Sequence, residues 1–210
     1  MRVIYSFIFL SSLFLQGIQA QTLELLLGNA WNMREDLVIK QDGYPDILVE
    51  DAYFNVEAFV PPLYYSLRWA FFEEESGAWE IELNHLKLYL DEFPNDVQAF
   101  DISHGYNLLW FNRAWFLEDF ILHAGAGVVI AHPNISVRNQ NNYSYGNENH
   151  SICGGSLHAS IQKRFDITQK WFLSLEAKAV YALADVPFAQ GSVVVQNRSL
   201  HATFGFGYKF

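Results

Sequence analysis

The feature that most constrains this chain is a two-residue alternation of apolar and polar side chains. In the last twelve residues, SLHATFGFGYKF, every second side chain is apolar or aromatic and those between are mostly polar or small. Successive side chains of a β-strand point to opposite faces, so this period predicts a strand with one apolar face. The apolar positions are Leu200, Ala202, Phe204, Phe206, Tyr208 and Phe210.

The same alternation recurs in seven earlier segments, so the chain is predicted to be all-β. The segments are 22–31, 63–72, 78–90, 101–111, 120–131, 156–165 and 171–182. The connections between them alternate between short ones, about 73–77, 113–118 and 166–169, and longer ones, about 32–61, 91–99, 132–152 and 184–192. Strands of about ten residues with alternating short and long connections are typical of transmembrane barrels. We therefore predict an eight-stranded antiparallel up-and-down transmembrane β-barrel.

The first twenty residues have the pattern of a secretory signal peptide. Arg2 precedes an apolar run from Val3 to Leu15, and the small residue Ala20 stands at a plausible cleavage site. The run is short for a membrane-spanning helix, which is the alternative interpretation. We expect residues 1–20 to be removed on export and residues 21–210 to form one barrel domain.

Composition excludes one class of partner. The chain has 13 basic and 23 acidic residues and a formal charge of −10, whereas nucleic-acid binding needs a basic surface. Cys153 has no second cysteine to pair with in the chain, so no internal disulfide is expected. No cofactor or metal motif is found, and we expect a monomer.

Alternation alone does not tell which face of the sheet is inside. A soluble β-sandwich or a lipocalin-type barrel also alternates, with its apolar face inward. Two features favour the opposite arrangement. The polar face carries charges together with many small residues, which suit the narrow interior of an eight-stranded barrel. Large aromatic residues cluster at the strand ends, as in the girdles of membrane barrels. They are Trp31, Trp69, Phe72, Trp79, Trp110, Trp171, Tyr208 and Phe210.

The export segment, the alternating strands and the ending FGFGYKF resemble bacterial outer-membrane β-barrels of the small OmpA/OmpX type. In that superfamily a last strand ending in an aromatic residue is the signal read by the barrel-assembly machinery. The resemblance implies this role for Phe204, Phe206, Tyr208 and Phe210. It also implies a location in the bacterial outer membrane and contact with outer-membrane lipid and lipopolysaccharide.

If the polar face lines the lumen, a charged cluster is expected there. Arg68 and Lys178 would face several carboxylates, and buried charges need partners. The cluster is interpreted as an ion-pair plug, with a cation or proton path as the alternative. The predicted carboxylates are Glu24, Glu80, Glu82 and Glu176, and His123, His158 and His201 share that face.

A second candidate site lies at the outer rim. The alternation changes phase in LNHLKLYL, which predicts a bulge near Leu83–His85 that turns His85, Lys87 and Tyr89 inward. The stretch DISHGYN places Ser103 beside His104, and His132 follows a later strand. Outer-membrane lipid A deacylases of the PagL type combine a serine, a histidine and a carboxylate. The local motif of those enzymes, a histidine two residues before a serine in the later strands, is absent in that form. Ser103, His104, His85 and His132 are the candidate catalytic residues; because adjacent strand residues normally point apart, His85 or His132 would supply the base from a neighbouring strand.

Three functions follow from these observations. The first is a structural or surface-interaction barrel with a polar, plugged lumen. The second is a hydrolase that removes acyl chains from lipid A, and the third is a narrow, porin-like path for small solutes.

Overall fold

The computed structural model of the protein describes residues 22–138, 150–188 and 191–210. The predicted signal peptide lies outside these residues. The described residues form twelve β-strands and no helix, which confirms the all-β prediction. No stretch of helix that could cross a membrane is therefore found among them.

The strands are long in the ring and short in the outer connections. The first six are β1 (Thr22–Asn32), β2 (Glu35–Gln41), β3 (Ile47–Ala52), β4 (Phe54–Asn55), β5 (Tyr65–Glu74) and β6 (Gly77–Leu90). The others are β7 (Val97–Phe116), β8 (Ile121–Ala131), β9 (Asn134–Val137), β10 (Ser151–Asp166), β11 (Trp171–Phe188) and β12 (Gly191–Lys209).

All strand pairs are antiparallel, and the sheet closes on itself. Neighbours follow the order β1-β5-β6-β7-β8-β10-β11-β12, and β1 also pairs with β12. Thr22 lies opposite Lys209 and Asn32 opposite Ser199 in that closing pair. Closure leaves no free edge in this ring, which we call the strand ring.

The sequence predicts eight strands, whereas the described residues contain twelve. The additional strands β2, β3, β4 and β9 lie in the predicted long connections and continue the sheet at one end of the ring. β2 pairs with β12, β3 with β2, β4 with β6, and β9 with β7. We call this end of the ring the extension. It includes the ends of β6, β7, β11 and β12 that lie farthest from the short connections. β2 and β3 form a hairpin within the predicted long connection 32–61.

The two faces of the strand ring differ sharply. On β12, Leu200, Phe204 and Phe206 are about half exposed, whereas His201 and Thr203 are buried. β11 shows the same strict alternation over its whole length. The apolar face of the ring is therefore outward and the polar face inward, opposite to a soluble barrel.

The interior has two layers. Charged and amide side chains fill the half of the ring next to the short connections, and an apolar core fills the half next to the extension. This explains the phase change in β6. Leu86 and Leu88 are fully buried in the apolar core and continue the inward face of Glu80 and Glu82.

The predicted bulge near Leu83–His85 is therefore wrong. The strand stays regular there, and it is the interior that changes from polar to apolar. His85, Lys87 and Tyr89 lie on the outward face of β6. The register between β6 and β7 shifts instead beyond Leu86, where Leu86 lies opposite Tyr106 and Leu88 opposite Ile102. The extra residues belong to β7, and Gly105 has a φ of 129° there, a conformation that favours glycine.

The small residues of the last strand make room for the interior. A Cβ on Gly207 would lie 2.0 Å from the Phe172 ring, and one on Gly205 would lie 2.3 Å from Ser174 Oγ. Phe172 is fully buried beneath Gly207. The glycines of FGFGYKF therefore admit bulky inward side chains from β11.

Candidate functional site

The polar interior centres on Arg68, which is 1% exposed and projects inward from β5. Its Nε and Nη2 donate to Glu82 Oε2 at 3.0 and 2.8 Å. Its Nη2 also donates to both carboxylate oxygens of Glu176, at 2.9 and 2.7 Å. Glu24 Oε2 lies 3.4 Å from Nη1. Arg68 therefore joins carboxylates from β1, β6 and β11 across the interior.

Lys178 and His123 complete the charged cluster. Lys178 Nζ bonds Glu82 and lies 3.3 Å from Glu176 Oε1. His123 Nδ1 lies 2.9 Å from Glu80 Oε2, and Glu80 also approaches Arg68 Nε at 3.6 Å. The predicted residues Arg68, Glu80, Glu82, Glu176 and Lys178 are thus brought together in one network, together with Glu24. Its role as a plug remains a prediction.

Several neutral partners of this network were missed by sequence reasoning. Gln162 Nε2 donates to both oxygens of Glu24 at 3.0 Å, and Ser174 Oγ bonds the same carboxylate. Asn112 Nδ2 donates to Glu82 Oε2 at 3.0 Å. Arg164 was also missed, and its Nη2 lies 3.7 Å from Glu24. Inward parity on β10 and β11 is the signal that identifies Gln162 and Ser174. Asn112 shares a face with Trp110, which the sequence placed among the exposed aromatic residues; that expectation is wrong, because both side chains are buried.

Hydrogen bonds of the network leave two buried atoms without a partner among the described residues, Glu80 Oε1 and His123 Nε2. Every other carboxylate oxygen of Glu24, Glu82 and Glu176 faces a donor. Charges held in this way are fixed in position by several strands at once. The arrangement can lock strand register and fill the cross-section of the ring, as expected for such a narrow interior.

The layer next to the extension is apolar and also filled. Tyr106 and Leu108 are fully buried, and Trp110, 1% exposed, donates from Nε1 to Ser156 Oγ at 2.9 Å. Tyr64 packs edge-on to His201, and its hydroxyl bonds His201 Nδ1 at 2.8 Å. Large side chains therefore occupy the interior above the charged cluster as well.

The rim candidates divide into two places. His104 and His132 come together with His150, a residue that sequence reasoning missed. The ring centroids of His104 and His132 are 5.2 Å apart, and those of His132 and His150 are 5.1 Å apart. His150 Nε2 also bonds the backbone carbonyl of His104 at 3.2 Å. We call these three residues the histidine cluster.

Ser103 lies at the edge of the histidine cluster, in the irregular part of β7 that contains Gly105. Its Oγ is 3.5 Å from His104 Nδ1, which is long for a hydrogen bond. Asp101 directs one carboxylate oxygen to the Ser103 backbone N–H and the other to Asn134 Nδ2. The Asp101 carboxylate therefore accepts hydrogen bonds from the backbone and from Asn134, and does not orient a histidine as a catalytic base.

His85 lies apart from these residues. It stacks on Tyr65 with ring centroids 5.2 Å apart, and its Nδ1 bonds Asn107 Oδ1 at 2.8 Å. The four predicted catalytic residues thus form no shared constellation of nucleophile, base and orienting acid. Their catalytic role stays a prediction that the geometry does not strengthen.

The electrostatics of the histidine cluster disfavour charge on its central ring. Partial burial lowers the pKa of His132, and the neighbouring His104 and His150 lower it further. Among the residues that the structure describes, no group of three or more His, Cys, Asp or Glu side chains has the arrangement of a metal site.

The terminal aromatic residues form a contiguous exposed group beside Trp171. The rings of Phe206 and Tyr208 lie 4.8 and 4.6 Å from the Trp171 ring, and Phe210 is 5.2 Å from Tyr208. Phe204 and Phe206 are about half exposed on the same face. Their role as an assembly signal stays a prediction.

The extension has an acidic cleft of about 400 Å³. Glu50, Asp51, Asp91 and Glu92 line it, with Phe93 among the apolar lining residues. Arg34 also lines the cleft and donates to the Asp51 carbonyl at 2.8 Å. The cleft places acidic and aromatic surface at the end of the molecule farthest from the short connections.

No protein-family model matches the sequence. No curated protein matches it either. Solved structures do match in shape, and the chain has a fold similar to that of small outer-membrane β-barrels. Outer membrane protein AlkL, solved in DMPC lipid bilayers, matches with a TM-score of 0.53 and 11% identity over 92% of this chain and 91% of that one.

Two further solved structures cover nearly the whole chain. Neisserial surface protein A matches with a TM-score of 0.44 and 9% identity, over 92% of this chain and 99% of that one. The attachment invasion locus protein Ail of Yersinia pestis matches with a TM-score of 0.40 and 13% identity, over 91% and 100%.

Proposed function

We propose that the strand ring spans the bacterial outer membrane as an eight-stranded β-barrel with a closed lumen. Its role is structural or surface-interacting. The outward face supports this, because it carries exposed apolar side chains such as Leu175 and Phe204 around the ring. Exposure of such an apolar face to water is unfavourable, whereas lipid acyl chains can cover it. The fold shared with AlkL supports the same placement.

The membrane-spanning segments in this proposal are the parts of the ring nearest the short connections. They are residues 22–31, 65–74, 77–85, 107–116, 121–130, 155–166, 171–183 and 199–209. The short connections then face the periplasm and the extension faces outward, as in other barrels of this kind. Trp79 and Trp171 mark the periplasmic edge, and Trp31 and Tyr181 mark the outer one.

The observation that carries the closed lumen is the Arg68 network. One guanidinium at 2.7–3.0 Å from Glu82 and Glu176 connects opposite walls. The apolar layer of Tyr106, Leu108 and Trp110 lies directly above it. An ion would have to break buried ion pairs and then cross an apolar core, and both steps are unfavourable.

The extension is the surface that would meet partners outside the cell. Its cleft carries Glu50, Asp51, Asp91 and Glu92 beside the exposed ring of Phe93. We further propose export through a cleaved signal peptide and recognition of the last strand by the assembly machinery. Outer-membrane lipid and lipopolysaccharide then surround a monomer.

Two measurements test this function. Purified protein in planar bilayers should show no unit conductance, because the lumen is filled at two levels. Lipid A from outer membranes should have the same mass spectrum with and without the protein. Steady ion currents would contradict the closed lumen. Loss of an acyl chain, abolished by Ser103→Ala, would make the histidine cluster part of a deacylase.

A further inference from the structure

The segment between β4 and β5 presents an apolar tip to the outside. Phe59, Val60 and Leu63 are 69%, 51% and 42% exposed, and Pro61 and Pro62 lie between them. Exposures of this size match those of the lipid-facing ring, where Leu175 is 57% exposed. We call residues 57–63 the apolar loop.

The apolar loop is held in place on both sides. Val56 and Ala58 are buried in the apolar core, and the Tyr64 backbone N–H donates to the Ala58 carbonyl at 2.8 Å. Lys87 Nζ donates to the Val60 carbonyl at 2.7 Å. The exposed side chains of the loop are thus displayed by a fixed backbone.

Those contacts also fix where the loop lies. β5 begins at Tyr65, whereas its neighbour β6 continues to Leu90. The loop therefore occupies the part of the wall that β5 does not reach. Its contact with Lys87 places it against the outward face of β6, the same face as Ile81 and Leu83.

The height of the loop follows from strand geometry. His85 is nine residues beyond the turn residue Ser76. At about 3.3 Å per residue and a tilt of about 40°, this is about 23 Å, close to the ~25 Å of an apolar belt. Lys87, the next outward residue, therefore lies at the outer edge of that belt, where its amine is shielded by the loop.

We propose that the apolar loop inserts Phe59, Val60 and Leu63 among the acyl chains of the outer leaflet. The inference rests on the proposed membrane-spanning ring, with whose apolar belt the loop is continuous. Aromatic and aliphatic side chains at that level anchor a protein at the interface. The carboxylate of Glu57, at the start of the loop, then remains among the head groups. The loop fastens the extension to the membrane surface.

The alternative occupant of this surface is a second copy of the chain. Both would remove the loop from water, so the test distinguishes lipid from protein directly. Single cysteines at Phe59, Leu175 and Phe93 are introduced in a Cys153→Ser background and labelled with a polarity-sensitive fluorophore. The labelled proteins are reconstituted in vesicles with nitroxides on the acyl chains, and quenching by these lipids and by aqueous iodide is compared.

We expect the label at Phe59→Cys to lose fluorescence to nitroxide lipids about as much as the belt control Leu175→Cys. The label at Phe93→Cys, on the extension, should be quenched by iodide and not by lipid. If position 59 behaves like position 93 while position 175 is quenched by lipid, the loop inference is wrong and the spanning ring stands. If position 59 is protected from both quenchers, protein covers it, and the lipid proposal fails. If position 175 is also untouched by lipid, the spanning ring itself is wrong.

Discussion

Replacement of Arg68 by methionine tests the central network directly. Methionine has a similar length but no charge, so the main change is electrostatic. Glu176 would lose its donor at 2.7 Å and keep Lys178 at 3.3 Å, and Glu82 would lose bonds of 2.8 and 3.0 Å. Removing one partner of a buried ion pair typically destabilises a protein by about 3–5 kcal/mol. We expect Arg68→Met to lower the free energy of unfolding by that amount.

The assay is equilibrium urea unfolding in phospholipid vesicles, followed by tryptophan fluorescence and by the gel shift of the folded band. Arg198→Met is the matched control, because Arg198 pairs with Glu35 at the surface and its side chain is 52% exposed. Its unfolding curve should overlay that of the wild type. The double variant Arg68→Met/Glu176→Gln should regain part of the lost stability. A change in Arg68→Met below about 1 kcal/mol would refute the network as a source of stability.

Three further predictions concern other parts of the fold. Gly207→Val places a side chain where the buried Phe172 ring now lies, and should lower the free energy of unfolding by about 1–3 kcal/mol in the same assay. The pKa of His132 is lowered by partial burial and by its histidine neighbours, so NMR titration should find it below 6.5, and His104→Gln should raise it. A lowered pKa in the folded state means that the unfolded chain binds a proton more readily than the folded protein does. The stability contributed by neutral His132 is therefore present above about pH 6.5 and is lost as the pH falls. Burial raises the pKa of the Cys153 thiol to about 11, so iodoacetamide should modify it in the folded protein far more slowly at pH 8 than in urea, and equal rates would contradict its position.

Alternation predicted the long strands and the direction of their faces because a ring imposes period two on every strand that it contains. It failed at Leu86 and Leu88, and at Trp110, which was expected among the exposed aromatic residues and is buried. Parity identifies a face but not the polarity of what fills the interior. The interior changes from charged to apolar partway along β6, and in the sequence this change looks like a shift in the phase of the alternation. The carboxylates of the central network were predictable because inward charges in a narrow ring must meet.

The contacts of the histidine cluster were not predictable. His104 and His132 are far apart in sequence, and His150 approaches them only through the pairing of β7, β8 and β10. Ser103 and His104 lie in a part of β7 where the register shifts, which alternation does not reveal. The apolar loop was missed for a similar reason, since its position depends on contacts with the buried core and with Lys87 that alternation does not reveal.

The closed ring has a consequence for how the chain folds. Arg68 lies on β5 and Glu176 on β11, and the shortest path between them around the sheet passes through the seam of β1 and β12. An incomplete sheet therefore leaves a guanidinium and several carboxylates without their partners. Each partly formed sheet is therefore less stable than the closed ring, and the buried ion pairs form together only when the seam of β1 and β12 closes. The charged cluster thus acts as a check on correct strand order, because a sheet closed with a shifted register would leave these groups without partners.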